Sequence, residues 1–128
     1  MSKIILIEDS KTLAQALKPA LEIKGHEVLW INDGRGAVLE IKKFKPSIIL
    51  LDLMLPHVNG FEICQAVKKD MALMRIPVII MSTLTSQEDV ERAQNAGADH
   101  FISKPYDLKQ TLNEIFKFIP KEEKSNGL

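Results

Sequence analysis

A three-layer α/β sandwich, a parallel sheet covered by helices on both faces, is the fold this chain predicts, and three observations predict it. Short apolar runs recur along the sequence, Ile4–Ile7, Val28–Ile31, Ile48–Leu51 and Val78–Met81, and runs of this kind mark strands buried on both faces. Between them lie longer segments whose apolar residues return every three or four positions, the period of a helix. Passages from strand through helix to a parallel strand cross right-handedly, so five strands alternating with five helices leave a helix layer on each side of the sheet.

Taken in order, the first strand, Ile4–Ile7, runs straight into Glu8-Asp9. Ser10 is placed to cap a helix whose apolar face is Leu13, Leu17, Ala20 and Leu21 and which ends at Gly25. Pro19 falls inside that helix, where it removes the N–H that would bond the Gln15 carbonyl, so a kink or irregular turn is expected. Val28–Ile31 is the second strand, closed by Asn32-Asp33-Gly34. The next helix turns Ala37, Val38, Ile41 and Phe44 inward and stops at Lys45-Pro46. Ile48–Leu51 is the central strand and delivers Asp52 at its end. Beyond Gly60 a third helix carries Phe61, Ile63, Cys64 and Val67, with Lys68-Lys69 in its last turns, where cations suit the helix dipole.

Pro77 opens the fourth strand, which leads to Ser82-Thr83. Thr85-Ser86-Gln87-Glu88 reads as a capping box, starting a helix that runs to Asn95 with Gly97 in the left-handed position after it. Only Val90, Ala93 and Ala96 line the inner face, so this is the least firmly anchored helix. His100–Ser103 is the fifth strand, Lys104-Pro105 follows, and Leu108, Leu112, Ile115, Phe116 and Ile119 mark a last helix ended by Pro120. The domain is therefore expected over residues 1–120. Residues 121–128 read as a disordered tail or the start of a linker.

Composition narrows the function. At 128 residues the chain is one domain, and with Lys plus Arg and Asp plus Glu at 17 each no overall field draws it to nucleic acid or an anionic membrane. The single Cys64 excludes an internal disulfide and fits a reducing compartment. No run approaches the roughly 20 apolar residues that span a bilayer, and only four apolar residues follow Met1-Ser2-Lys3, too few for a signal peptide. A cytoplasmic protein is the expectation.

In a parallel α/β sheet the carboxyl ends of the strands open on one edge, and ligands bind there. Glu8 and Asp9 follow the first strand, Asp52 the third, Ser82 the fourth and Lys104 the fifth. Three carboxylates at one edge raise one another's pKa unless a hard cation neutralises them. Mg²⁺ is that cation, because it takes a few carboxylates together with water and phosphate oxygens, whereas zinc would want a His or Cys cluster. A metal, an ammonium, a hydroxyl and a nucleophilic carboxylate are the parts of a phosphoryl-transfer site, with Asp52 as the attacking group.

The residues Ile7-Glu8-Asp9, Leu51 to Pro56 with Asn59-Gly60, Pro77 to Ser82, Ala96 to Asp99 and Lys104-Pro105, in this order and at these spacings, resemble the receiver domains of two-component response regulators, the chemotaxis type among them, over residues 3 to about 119. The resemblance implies a doubly wound, flavodoxin-like sheet of order 2-1-3-4-5. It implies that Asp52 takes a phosphoryl group from a histidine kinase or histidine phosphotransfer protein. Mg²⁺ would be held by Asp9, Asp52 and the Met54 backbone carbonyl, and by Glu8 through water, with a cis Lys104–Pro105 bond aiming Lys104 inward. It also implies a switch in which Ser82 moves to the phosphoryl group and Phe101 turns in behind it, remodelling the face of the fourth helix, fifth strand and fifth helix for a downstream effector.

Some features depart from the family pattern or stand outside it. Phe101 stands where a tyrosine is common. The last helix lacks the basic segment of the winged-helix transcription regulators, which argues against that subclass and against direct nucleic-acid contact. Met54 and Leu84, two residues beyond Asp52 and Ser82, offer no acid or amide to orient a hydrolytic water, so a long phosphoryl lifetime is expected. His57 and His26 read as loop histidines and Trp30 as packed against the first or second helix. Competing classes fit less well: a haloacid-dehalogenase-type phosphatase needs an acid where Met54 stands, a flavin binder needs a hydroxyl-rich first loop where Glu8-Asp9 would repel phosphate, and a pseudo-receiver scaffold would have lost an acid or the lysine. The expected protein is a signalling switch that catalyses its own phosphorylation and dephosphorylation.

Overall fold

The computed structural model describes residues 2–104 and 107–119. Its elements, in chain order, are β1 (Lys3–Ile7), α1 (Lys11–Glu22), β2 (Glu27–Ile31), α2 (Ala37–Phe44), β3 (Ile48–Leu51), α3 (Gly60–Lys69), β4 (Val78–Ser82), α4 (Gln87–Asn95), β5 (His100–Ser103) and α5 (Leu108–Phe116). The five strands form one sheet of order β2-β1-β3-β4-β5, and all four pairings are parallel. The doubly wound fold and its strand order are those expected.

Alternation along the strands divides the core into two layers. Ile5, Ile7, Ile49, Leu51, Val78 and Ile80 point one way, against Ala37 and Ile41 of α2, Phe61, Ile63, Cys64 and Val67 of α3 and Ala93 of α4. Ile4, Leu6, Ile48, Leu50, Ile79 and Met81 point the other way, against Ala14, Leu17 and Leu21 of α1 and Ile115 of α5. Every residue of β3 is fully buried, which is why its sequence is an unbroken aliphatic run. In register Ile7 lies beside both Ile31 and Leu51, and Leu51 beside Ile80. The residues that follow these strands therefore emerge together at one edge.

Local signals set the ends. Ser10, Asn59, Ser86 and Asp107 each cap a helix by accepting from a main-chain N–H of its first turn. Gly97 adopts φ +98° just past α4, the left-handed conformation that ends a helix. Lys45, past α2, takes the same region at φ 54°, which its sequence did not announce.

Four details differ from the sequence-based expectation. Helix α1 runs unbroken through Pro19. The proline lies in the last turn, on an exposed stretch beside exposed Gln15 and Ala16, so the one carbonyl it frees can turn to water. The capping box of α4 begins at Ser86 rather than Thr85: the Ser86 hydroxyl accepts from Asp89 N–H at 3.1 Å and donates to Asp89 Oδ2 at 2.6 Å. Helix α5 ends at Phe116, three residues before Ile119, with Ile119 buried in the turn beyond it. Its buried residues are Thr111 and Ile115, and Leu112 and Phe116 pack partly buried against the same layer, while Leu108, at the first position of the helix, is exposed. The tail 121–128, Pro120 and the proposed cis bond at Pro105 lie outside the described residues.

Candidate acidic site at the carboxyl edge of the sheet

Asp52 is the first residue past β3, and its placement is fixed before its side chain is considered. Its N–H donates to the Ile7 carbonyl at 3.0 Å, carrying the β1–β3 pairing one step further. The chain then folds back so closely that a Cβ on Gly60 would lie 2.6 Å from the Asp52 carbonyl oxygen and 2.6 Å from Leu53 Cα. Only glycine allows this approach. The Gly60 N–H donates to the Leu53 carbonyl at 3.1 Å, and Asn59 Oδ1 accepts from Phe61 N–H at 2.8 Å, so the loop carrying Asp52 is tied to the first turn of α3. The carboxylate itself accepts from Met54 N–H at Oδ1, 3.1 Å, and faces Lys104 Nζ at Oδ2, 3.3 Å.

Glu8 is held at every polar atom. Its N–H donates to the Ile31 carbonyl at 3.0 Å and its own carbonyl accepts from the Trp30 indole Nε1 at 2.7 Å. One carboxylate oxygen accepts from Lys104 Nζ at 2.5 Å, and the other from Ser10 N–H at 3.2 Å. Glu8 is 3% exposed, and this burial pushes its pKa up to about 7. The Asp52 charge pushes the same way, while the Lys104 hydrogen bond pulls against both. Asp9, the next residue, is exposed. Glu8, Asp9 and Asp52 each present a carboxylate oxygen, and these oxygens lie within 4.8 Å of one another.

Lys104 reaches this cluster from β5. Its N–H donates to the Ser82 carbonyl at 2.8 Å, so strand pairing sets its start, and its ammonium ends between Glu8 and Asp52 with the side chain 7% exposed. Ser82 is fully buried and its hydroxyl oxygen accepts from Leu84 N–H at 3.0 Å, which leaves the hydroxyl proton available to a new acceptor. Met54 and Leu84 line one cleft of about 410 Å³ with Leu53, Val58 and Arg92. Phe101 lies one strand position before Ile102, half-buried, with its ring against the α2–α3–α4 side of the core.

The structure thus brings together Glu8, Asp9, Asp52 and Lys104, with Ser82 joined through the backbone of Lys104. The donor set is oxygen only, dominated by carboxylates, and suits a hard divalent cation such as Mg²⁺ that keeps part of its water. Two contacts were not legible in sequence. Lys104 sits closer to Glu8 than to Asp52, and Trp30 donates to Glu8 over 22 residues of separation. Trp30 packs on the α1–α5 side. His26 is half-buried, accepts from Ser2 N–H at Nδ1 and packs beside the Phe116 ring, whereas His57 is an exposed loop residue.

Residues 4–116 match the family model described as the response regulator receiver domain. The chain belongs to this family. It is 33% identical over 116 residues to RpaA, a DNA-binding dual master transcriptional regulator of Synechocystis sp., which covers 90% of this chain and 48% of RpaA. The chain spans about half the length of the first curated relatives it matches. Because RpaA is DNA-binding by name, kinship does not favour the expectation from α5 that set this chain apart from DNA-binding regulators. Among solved structures, the receiver domain of a signal transduction histidine kinase from Syntrophus aciditrophicus is 32% identical with a TM-score of 0.85, covering 93% of this chain and 90% of that one. The Mn²⁺-bound form of the response regulator Rcp1 is 27% identical with a TM-score of 0.78, covering 90% and 89%. This chain is a response regulator receiver domain of two-component signalling, and no helix among its described residues is long and apolar enough to cross a membrane.

Proposed function

We propose that Asp52 accepts a phosphoryl group from a histidine kinase or a histidine phosphotransfer protein in the cytoplasm, and that the modified site alters the α4–β5–α5 face read by a downstream effector. The observation that carries this reading is the gathering of three carboxylate oxygens within 4.8 Å of one another, with a buried lysine ammonium between two of them, those of Glu8 and Asp52. Asp9, Asp52 and the Met54 carbonyl would hold Mg²⁺, with Glu8 acting through water, and the ion would neutralise charge on the phosphoryl oxygens.

The chain's own groups supply the rest. An Asp52 carboxylate oxygen attacks phosphorus in line, a new P–O bond forms, and the bond from phosphorus to the donor's nitrogen or oxygen breaks as the donor leaves with the electron pair. Lys104 stands ready to offset charge on one phosphoryl oxygen. The Ser82 hydroxyl, which spends only an acceptor position on Leu84 N–H, donates its proton to another. Since Leu84 opens the segment leading into α4, a move of Ser82 toward the phosphoryl group pulls on the near end of that helix, and Phe101 fills the space behind. Rcp1, of similar fold, is known in a Mn²⁺-bound form, which supports the divalent-cation part of the reading.

The test is incubation with Mg²⁺ and a small phosphodonor such as acetyl phosphate. A mass gain of one phosphoryl group, stable in acid, labile in base, lost with EDTA and lost in Asp52→Asn, is the expected result. No gain, or a gain that survives Asp52→Asn, overturns the proposal.

A further inference from the structure

The β1–β2 pairing stops at Ile7 beside Ile31. Glu8 still gives its N–H to the Ile31 carbonyl, but its own carbonyl has passed the end of the ladder. In a continuing parallel pair a main-chain N–H two residues beyond Ile31 would take that carbonyl. The chain bends at Asn32 and Asp33 instead, and a side chain does the work: the Trp30 indole N–H donates to the Glu8 oxygen at 2.7 Å.

That oxygen belongs to the peptide group joining Glu8 to Asp9. The group is planar, so a bond that fixes the oxygen fixes the direction in which the Asp9 N–Cα bond sets out. Asp9 is the exposed acid of the three, while Glu8 and Asp52 are buried and carry side-chain bonds of their own. The main chain behind Asp9 is therefore what aims it at Asp52. A residue of β2 with no atom in the acidic cluster governs how closely the cluster gathers.

We infer that Trp30 is a positioning residue for the divalent-cation site: its indole N–H, held against the Glu8 carbonyl by packing beside α1 and α5, sets the Glu8–Asp9 peptide plane and with it the Asp9 carboxylate. The inference rests on the proposal that the acidic cluster takes Mg²⁺.

The chain has one tryptophan, so a ¹⁵N-labelled sample gives one indole N–H signal. In a Mg²⁺ titration of the wild-type protein that signal should shift and saturate in step with the backbone amides of Asp9 and Asp52. Trp30→Phe keeps an aromatic ring in the packing and loses the donor; its Mg²⁺ affinity, read from the same amides, should fall about tenfold or more, with the fold intact by its amide spectrum. Wild-type affinity in Trp30→Phe, or a wild-type indole signal unmoved while the Asp9 and Asp52 amides shift, overturns the inference and leaves the cation site standing. If the variant does not fold, the wild-type indole titration decides alone. No Mg²⁺-dependent shift at Asp9 or Asp52 in wild type removes the cation reading and this inference together.

Discussion

Helices α3 and α4 lie side by side on one face of the sheet, and they are built in opposite ways. Helix α3 buries Gly60, Phe61, Ile63, Cys64 and Val67, and its first turn is tied to the loop that carries Asp52. Helix α4 buries only Ala93 along its length, and four of the first five residues after its cap are charged or amide side chains. Its attachments gather at the far end. Arg92 lies over the Phe61 ring at 4.1 Å, the Cys64 thiol contacts the Ala96 carbonyl at 3.5 Å, and Lys68 joins Asp99 at 2.8 Å beneath Gly97. At the near end, next to Ser82 and Leu84, no residue of α4 before Ala93 is buried. A firmly held Asp52, the proposed acceptor, beside a helix attached mainly at its far end is an arrangement through which a change at Asp52 would pass under the proposed function.

The comparison can be broken most directly by truncation. Ile63→Ala in α3 should cost about 2–5 kcal/mol, whereas Val90→Ala in α4, at a half-buried position, should cost under about 1 kcal/mol; urea unfolding of both variants checks this, and similar losses would refute the contrast. Gly60→Ala attacks the link between α3 and Asp52, the proposed acceptor. Its Cβ has backbone on two sides, so the variant should lose about 1–3 kcal/mol and accept phosphoryl more slowly because Asp52 is displaced, which a phosphorylation time course on the folded variant reads.

Glu8 tests the fixed half by pH. Its pKa is about 7 in the fold against a usual 4.5, so between these values the folded state binds the proton more tightly than the unfolded one. Stability of the metal-free protein should therefore fall as pH rises from about 4.5 to about 7, by on the order of 1–2 kcal/mol. Glu8→Gln should flatten that part of the profile, and an unchanged slope in EDTA would contradict the account.

Two smaller effects sharpen the loose half. Met54 and Leu84 line one cleft and neither side chain carries an acid or amide, so a Met54→Asn, Leu84→Glu double variant should lose its phosphoryl group severalfold faster; an unchanged hydrolysis rate removes that explanation of lifetime. Cys64 is fully buried with its thiol pushed up to about 11 by that burial, so it should be nearly inert to alkylation. Labelling should pass through opening of α4 rather than global unfolding, and a rate that tracks urea stability alone would argue against a local hinge.

How much of this was readable in the chain follows from range. The aliphatic run Ile48–Leu51 and the acid after it needed only their own neighbours; the converging acids followed from the alternation of strands and helices, and the strand order only from the family resemblance of the matched motifs. The α4 cap slipped by one residue because Thr85 and Ser86 each have an acid three positions on, Glu88 and Asp89, and only the built helix chooses. Leu108 kept the spacing of α5 but sits at the helix's first position, where no layer covers it, while Thr111 turned inward despite its hydroxyl. Lys104 on Glu8 and Trp30 on the Glu8 carbonyl join residues 96 and 22 apart, and no local pattern carries such contacts.

Hydrogen exchange measured on the same sample before and after phosphorylation by a small phosphodonor with Mg²⁺ tests the account most directly. Amides of α3 should be well protected in both states, those of the first turns of α4 should exchange much faster than α3 in the unmodified protein, and phosphorylation should change exchange in α4 and β5 while leaving α3 as it was. Equal protection of α3 and α4, or a phosphorylated protein whose α4 exchanges as before, would contradict it.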